Sequence, residues 1–129
     1  MYSLSRKYSL GRKLGDGGFS IVRLGSHKAT GQQVAIKCVR KDKLPSADRE
    51  NLFKEVDIMR TLSHPFVIQF VEFVDEKDCY YVVLEYLAGG ELFDRIAQRE
   101  YYTEDIARDC VRIICTGLQY IHANNIVHR

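Results

Sequence analysis

The spacing of apolar residues changes part-way along the chain, and the change constrains the fold more than any single motif. Ahead of Ala88-Gly89-Gly90 the chain reads mostly as strands. Tyr8 to Leu14 is a short mixed run ending in glycine, and Phe19, Ile21 and Leu24 mark a second run before Gly25. Gln33 to Val39 is dense in β-branched residues, and Ala29-Thr30-Gly31-Gln32 before it reads as a hairpin turn. Phe66 to Val74 and Cys79 to Leu84 supply two more strands, joined by the polar Asp75-Glu76-Lys77-Asp78. One helix interrupts them. From Ala47 to Leu62 the apolar residues Leu52, Val56, Met59 and Leu62 fall on one stripe, with Phe53 beside it. Ser46 and Asp48 are its candidate N-caps, and His64-Pro65 ends it. After Gly90 everything reads as helix: a short one over Glu91 to Arg99, then a long one capped by Thr103 and stopped by Asn124-Asn125. On its apolar side Ala107, Cys110, Val111, Ile114, Leu118 and Ile121 recur at helical spacing.

Composition limits the classes of function. With 19 Lys and Arg against 17 Asp and Glu the net charge is +2, too balanced for a coat on nucleic acid or a polybasic membrane binder. Hydrophobic residues are 46% and charged residues 28%, which excludes a disordered chain. At 129 residues the chain is long enough to bury a working core without metal or disulfide staples. Cys38, Cys79, Cys110 and Cys115 form no Cys-x-x-Cys pair and lie in apolar runs, so buried reduced thiols are expected. Met1 to Lys7 has no apolar signal core, and no apolar run is long enough to span a bilayer. The expected location is the cytoplasm, with the nucleus as a second compartment.

Three features carry chemistry. Gly15-Asp16-Gly17-Gly18-Phe19-Ser20-Ile21-Val22 is glycine-rich, which lets backbone N–H groups approach phosphate oxygens; it also suits an ordinary hairpin turn. A dinucleotide-binding turn would need a third glycine and a following helix, whereas Ser20 and a β-like run stand there. The Walker pattern is absent. Lys37 lies within Val34-Ala35-Ile36-Lys37-Cys38-Val39, where its ammonium is either paired or turned out to solvent by strand alternation. Glu55 falls beside the apolar stripe of the first helix, three residues after Leu52 and four before Met59. It either pairs with Arg49 or Arg60 at the helix boundary or meets Lys37 when the helix packs on the sheet. The last arrangement explains both misplaced charges, with Lys37 aimed at phosphates held by the glycine loop.

On these residues the chain resembles the protein kinase family. Gly15-x-Gly17-x-x-Ser20-x-Val22 matches its glycine-rich loop, and Val34-Ala35-Ile36-Lys37 its ATP-anchoring lysine motif. Glu55 matches the helix glutamate that pairs with that lysine. His64-Pro65 matches the turn into the fourth strand, Leu84-Glu85-Tyr86-Leu87 the gatekeeper and hinge, and Ile126-Val127-His128-Arg129 the approach to the catalytic loop. The resemblance runs from Tyr8 to Arg129. Ser20 at the third glycine position and Gly89-Gly90-Glu91-Leu92-Phe93-Asp94-Arg95-Ile96 are similar to the calcium/calmodulin-dependent serine/threonine group.

The resemblance implies an α+β fold. A five-stranded antiparallel sheet with one helix forms an N-lobe over residues 8–87. The hinge exit and the first two helices of an incomplete helical C-lobe follow over 88–129. It implies ATP as ligand, with Leu14, Val22, Ala35 and Leu84 around the adenine and the Glu85 carbonyl and Leu87 amide on its edge. Lys37 would hold the α and β phosphates, oriented by Glu55, under the cover of Gly15, Asp16, Gly17, Gly18, Phe19 and Ser20. Glu91 would bond the ribose or a basic substrate residue; equally it suits a carboxylate at a helix N-terminus. The family's next residue after His128-Arg129 is the catalytic aspartate, and neither it nor the Mg²⁺-binding asparagine and aspartate stand in these 129 residues. The expectation is therefore no metal site here, Mg²⁺ in an intact parent only, and a chain inactive alone. The carboxylates of Glu104, Asp105 and Asp109 read as helix surface. The parent would phosphorylate serine or threonine of a protein substrate. Alternatives are a non-catalytic regulatory module, with a chaperone or protein partner covering the 103–123 helix, and an ATP sensor without transfer.

Overall fold

The computed structural model describes residues 3–99 and 101–129. The chain divides into two compact units. One takes the described residues up to Thr61 together with Gln69–Tyr86, and the other takes Leu62–Ile68 and Leu87–Arg129.

The first unit is a five-stranded antiparallel sheet with one long helix. In chain order come α1 (Leu4–Lys7), β1 (Tyr8–Gly17), β2 (Ser20–His27), β3 (Gln33–Arg40), α2 (Ser46–Thr61), β4 (Phe70–Asp75) and β5 (Cys79–Glu85). The spatial order is β1-β2-β3-β5-β4. The β2–β3 turn is the expected one: Gly31 has φ +73°, a conformation that favours glycine.

Strand alternation sends side chains to two separate cores. On one face Val34, Ile36, Val74 and Val83 bury with Tyr8 and with Leu4 from α1. On the other, Val39, Tyr80 and Val82 bury against Leu52 and Val56 of α2. The expected stripe is thus the packing face over Leu52, Val56 and the half-buried Met59, while Phe53 is 37% exposed and Leu62 lies past the end of α2 in the second unit. Phe53 is not idle; its ring meets those of Phe73 and Tyr80 edge-on at 5.8 and 5.4 Å.

Several expectations need correction. Ser46 and Asp48 are not caps, because the helix already includes both, and the Arg49 N–H bonds back to the Pro45 carbonyl at 3.0 Å. The fourth strand begins at Phe70 rather than Phe66. None of the four cysteines is buried; Cys38, Cys79 and Cys110 are half-buried and Cys115 is exposed, all as free thiols. An apolar neighbourhood in sequence does not bury a residue whose side of the sheet, or whose helix face, is only partly covered. The helix α1 has no sequence periodicity to announce it, being a single turn. It is tied down by Leu4, whose N–H donates to Glu76 Oε1 at 2.6 Å, and by Lys28 Nζ, which donates to the Ser5 carbonyl at 2.6 Å.

The second unit holds α3 (Leu92–Ala97) and α4 (Glu104–Ala123). The segment 62–68 packs on α4 instead of extending the sheet. The His64 and Tyr120 rings stack at 4.8 Å, and the Ser63 N–H donates to the Tyr120 hydroxyl at 2.9 Å. Gly117 permits the close approach, since a Cβ there would stand 3.3 Å from the Phe66 carbonyl oxygen. Thr103 caps α4 as expected, its Oγ1 accepting from the Ile106 N–H at 3.3 Å. Asn124 and Asn125 end the helix, Asn125 at φ +60°. Of the expected core face of α4 only Ile121 is buried, Gly117 beside it is buried too, and Val111, Ile114 and Leu118 stay exposed. Gly90, at φ +75°, turns the chain ahead of α3. Among the described residues no helix is long and apolar enough to cross a membrane.

Candidate functional site

The site of interest lies within the first unit, where β1, β2, β3 and α2 meet. The β1–β2 hairpin closes at the pair Gly17↔Ser20, leaving Gly18-Phe19 as a two-residue tip. Gly15 stands opposite Val22, and Val22 opposite Lys37 on β3. Lys37 also stands opposite Val82 of β5, so it is flanked by strands on both sides. Strand alternation puts Val22, Ala35, Lys37 and Val39 on the face that α2 covers. This is the face where a charge needs a partner.

The partner is Glu55. Lys37 Nζ lies 3.7 Å from Glu55 Oε1. The lysine side chain is 30% exposed and the glutamate 53%, so the pair is partly solvated and contributes little to stability. What it does supply is direction: the ammonium is held over the sheet at the foot of the glycine hairpin. Arg60, a rival partner for Glu55, reaches Asp57 instead at 3.7 Å.

A cavity of about 320 Å³ opens between these groups, lined by Gly17, Gly18, Phe19 and Ser20 from the hairpin, and by Lys37 and Glu55. Asp48 and Asn51 of α2 line it as well. Neither was singled out for this place by sequence. The signal available was their spacing, seven and four residues before Glu55, which puts all three on one helix face. The hairpin leaves room for a ligand: side-chain atoms built at Gly15 or Gly18 would meet nothing within 4 Å. The arrangement therefore offers unobstructed backbone at the hairpin and one cation facing it, which is what an oligophosphate needs.

The other residues marked in the sequence fall in different places. Asp16 does not line this cavity. Its side chain is held by Lys13, whose hydrogen bond and charge keep the carboxyl below the ordinary range. Leu14 is half-buried at the start of the hairpin. Ala35 and Leu84 stand opposite each other on β3 and β5. The Glu85 N–H donates to the Gln69 carbonyl at 2.9 Å, and its carboxylate accepts from the Gln69 N–H at 3.0 Å. Leu87 and Glu91 belong to the second unit and are exposed. Glu91 precedes α3 without a side-chain capping bond. Among the described residues no three His, Cys, Asp or Glu side chains gather to hold a metal ion.

A protein kinase domain family model matches residues 8–129. The chain belongs to the protein kinase family. Its relatives are serine/threonine protein kinases. Myosin light chain kinase A of Dictyostelium discoideum is 40% identical over 129 residues, all of this chain and 44% of the relative. Calcium/calmodulin-dependent protein kinase type II of Caenorhabditis elegans is 38% identical over 125 residues, 97% of this chain and 17% of the relative. Serine/threonine-protein kinase SIK2 of Gallus gallus is 37% identical over 122 residues, 95% of this chain and 15% of the relative. The chain spans less than half the length of these relatives. Within the kinase family it corresponds to the strand-rich part of the domain and the helices that follow.

Proposed function

We propose that this chain is the ATP-binding part of a serine/threonine protein kinase. The observation that carries the reading is the Lys37–Glu55 pair at 3.7 Å, set against a glycine hairpin with open space over Gly15 and Gly18. ATP, when bound, supplies the phosphoryl group that an intact kinase transfers to a serine or threonine hydroxyl. Lys37 holds the α and β phosphates, and Glu55 keeps its ammonium from turning to solvent. The backbone from Gly15 to Ser20 covers the phosphates and excludes water. Leu14, Val22, Ala35 and Leu84 form the apolar bed for the adenine. The roles of Glu85, Leu87 and Glu91 rest on the family resemblance.

Phosphoryl transfer depends on positioning and on neutralising developing charge. The base and the metal ligands that do this in the family are not among these 129 residues. We therefore propose that this stretch of chain alone binds ATP without transferring phosphate, and that Mg²⁺ enters only through the intact parent. Cytoplasm and nucleus are the proposed locations.

ATP titration with thermal unfolding tests the reading, because a ligand that binds only the folded state raises its stability by mass action. The unfolding temperature of the wild-type chain should rise with ATP, and that of Lys37→Met should not. An equal response from both chains would remove Lys37 from the site.

A second reading, a non-catalytic module bound to a protein partner or chaperone through the 103–123 helix, has one observation in its favour. Val111 is 58% exposed and Ile114 46% exposed on α4.

A further inference from the structure

The larger cavity of the first unit is on the sheet face that looks away from Lys37. Its volume is about 760 Å³. Ile21 and Arg23 of β2 point into it, opposite Cys38 and Ile36 of β3, and therefore on the face opposite Val22 and Lys37. Leu10 and Tyr81 supply apolar surface beside them. Leu10 is 43% exposed and Ile21 45%, an unusual outlay of aliphatic surface for one face of a sheet.

The charge of this groove is unbalanced. Four cations line it, Lys13, Arg23, Arg40 and Lys43, against the single carboxylate of Asp16. Two of the cations are already neutralised. Lys13 is paired with Asp16, and Arg40 is bonded through two nitrogens to Asp42 at 3.0 and 2.6 Å. Arg23 and Lys43 form no ion pair among the described residues, and both are exposed. Exposed aliphatic side chains beside two unpaired cations complement a chain that alternates apolar and acidic side chains.

We propose that this groove docks an acidic peptide segment with apolar anchors, its carboxylates on Arg23 and Lys43 and its anchors on Leu10 and Ile21. Arg23, Ile21 and Lys43 lie outside the Lys37 cavity, although Gly17, Gly18, Phe19 and Ser20 at the hairpin tip line both. Charge complementarity of this kind sets partner choice and encounter rate as much as affinity. Arg23, standing mid-strand beside Ile21, is the residue that combines both halves of the recognition.

The test uses the full 129-residue chain and a fluorescein-labelled peptide that alternates glutamate with leucine, read by anisotropy. The Arg23→Glu, Lys43→Glu double variant should bind at least about tenfold more weakly than wild type. Ile21→Ser should also weaken binding, and Lys54→Glu, on α2, should leave it unchanged. All three changes are at exposed positions, and circular dichroism checks that each variant keeps its fold. The proposal is overturned by equal loss in Lys54→Glu or by equal binding of a glutamine-for-glutamate peptide. It is overturned as well if benzoate or inorganic phosphate competes as tightly as the peptide, which would assign the groove to a small anion.

Discussion

Gly25 shows how a single atom can matter in this sheet. It lies on β2 against the floor of the inner core, where a Cβ would collide with Ile36 Cδ1 and stand 3.0 Å from Val34 Cγ2. Ile36 is fully buried and cannot swing away into solvent. Gly25→Ala should therefore destabilise the chain by about 1–3 kcal/mol, the usual cost of overpacking, in urea unfolding. Gly18→Ala, with nothing near its Cβ, serves as the neutral control for that experiment. Tyr81 makes a second residue-level case. Burial, then the Cys79 thiol beside it, pushes its phenol up to about 12 from the ordinary 10. Its stabilising contribution is whole below pH 10, because the phenol is neutral there in both states, and is lost as pH rises through 12. Burial raises the Cys38 thiol in the same direction. Alkaline titration followed by chemical denaturation should show stability falling over that range, with a shallower fall in Tyr81→Phe.

At the scale of elements, α1 is the least expected and the most revealing. It has four residues, too few to form a helix alone. Its stability comes from Leu4, which is 3% exposed and packs with Tyr8, Ile36 and Val83. Leu4→Ala should cost about 2 kcal/mol, at the low end for a core truncation because a single helical turn can yield around the space left. Hydrogen exchange at the residues of α1 should accelerate more than exchange in β3, and uniform acceleration would show that Leu4 supports the whole sheet. The element boundaries divide along the same line. The α2 helix was legible because Leu52, Val56 and Met59 recur at helical spacing. The start of β4 was not, because Phe66 looks like a strand residue yet lies against Gly117 of α4; whether an apolar run pairs or packs depends on what it meets.

At the scale of the molecule, the two units differ in how completely they close. The first buries a cluster on each sheet face, although Leu10 and Ile21 stay exposed beside one of them. The second leaves Val111, Ile114 and Leu118 exposed along α4. Apolar surface of this extent drives association in water. Sedimentation should show self-association that rises with concentration, and the Val111→Glu, Ile114→Glu double variant should weaken it by on the order of tenfold or more. Persistence of the association in that variant would move its origin to another surface.

Much of this was already determined by the sequence. The strand-to-helix order, the glycine hairpin, the anomaly of a lysine in a β-branched run and the capping of α4 by Thr103 are local properties. Each depends on residue type and on spacings of two, three or four, which the backbone converts directly into faces and turns. The pairing of Lys37 with Glu55 was inferred from two charges in unlikely places, and packing of α2 on β3 is what brings them to 3.7 Å. Only the tertiary structure decided that Asp16 turns to Lys13 and away from the Lys37 cavity, that Asn51 enters it, that the segment 62–68 packs on α4, and that two unpaired cations share a groove on the opposite face. Most of these facts join residues from different strands or from distant parts of the chain, and even the local Lys13–Asp16 contact depends on where the hairpin leaves each side chain. Their proximity is set by sheet order and by which surfaces find cover, and no spacing along a single chain encodes either one.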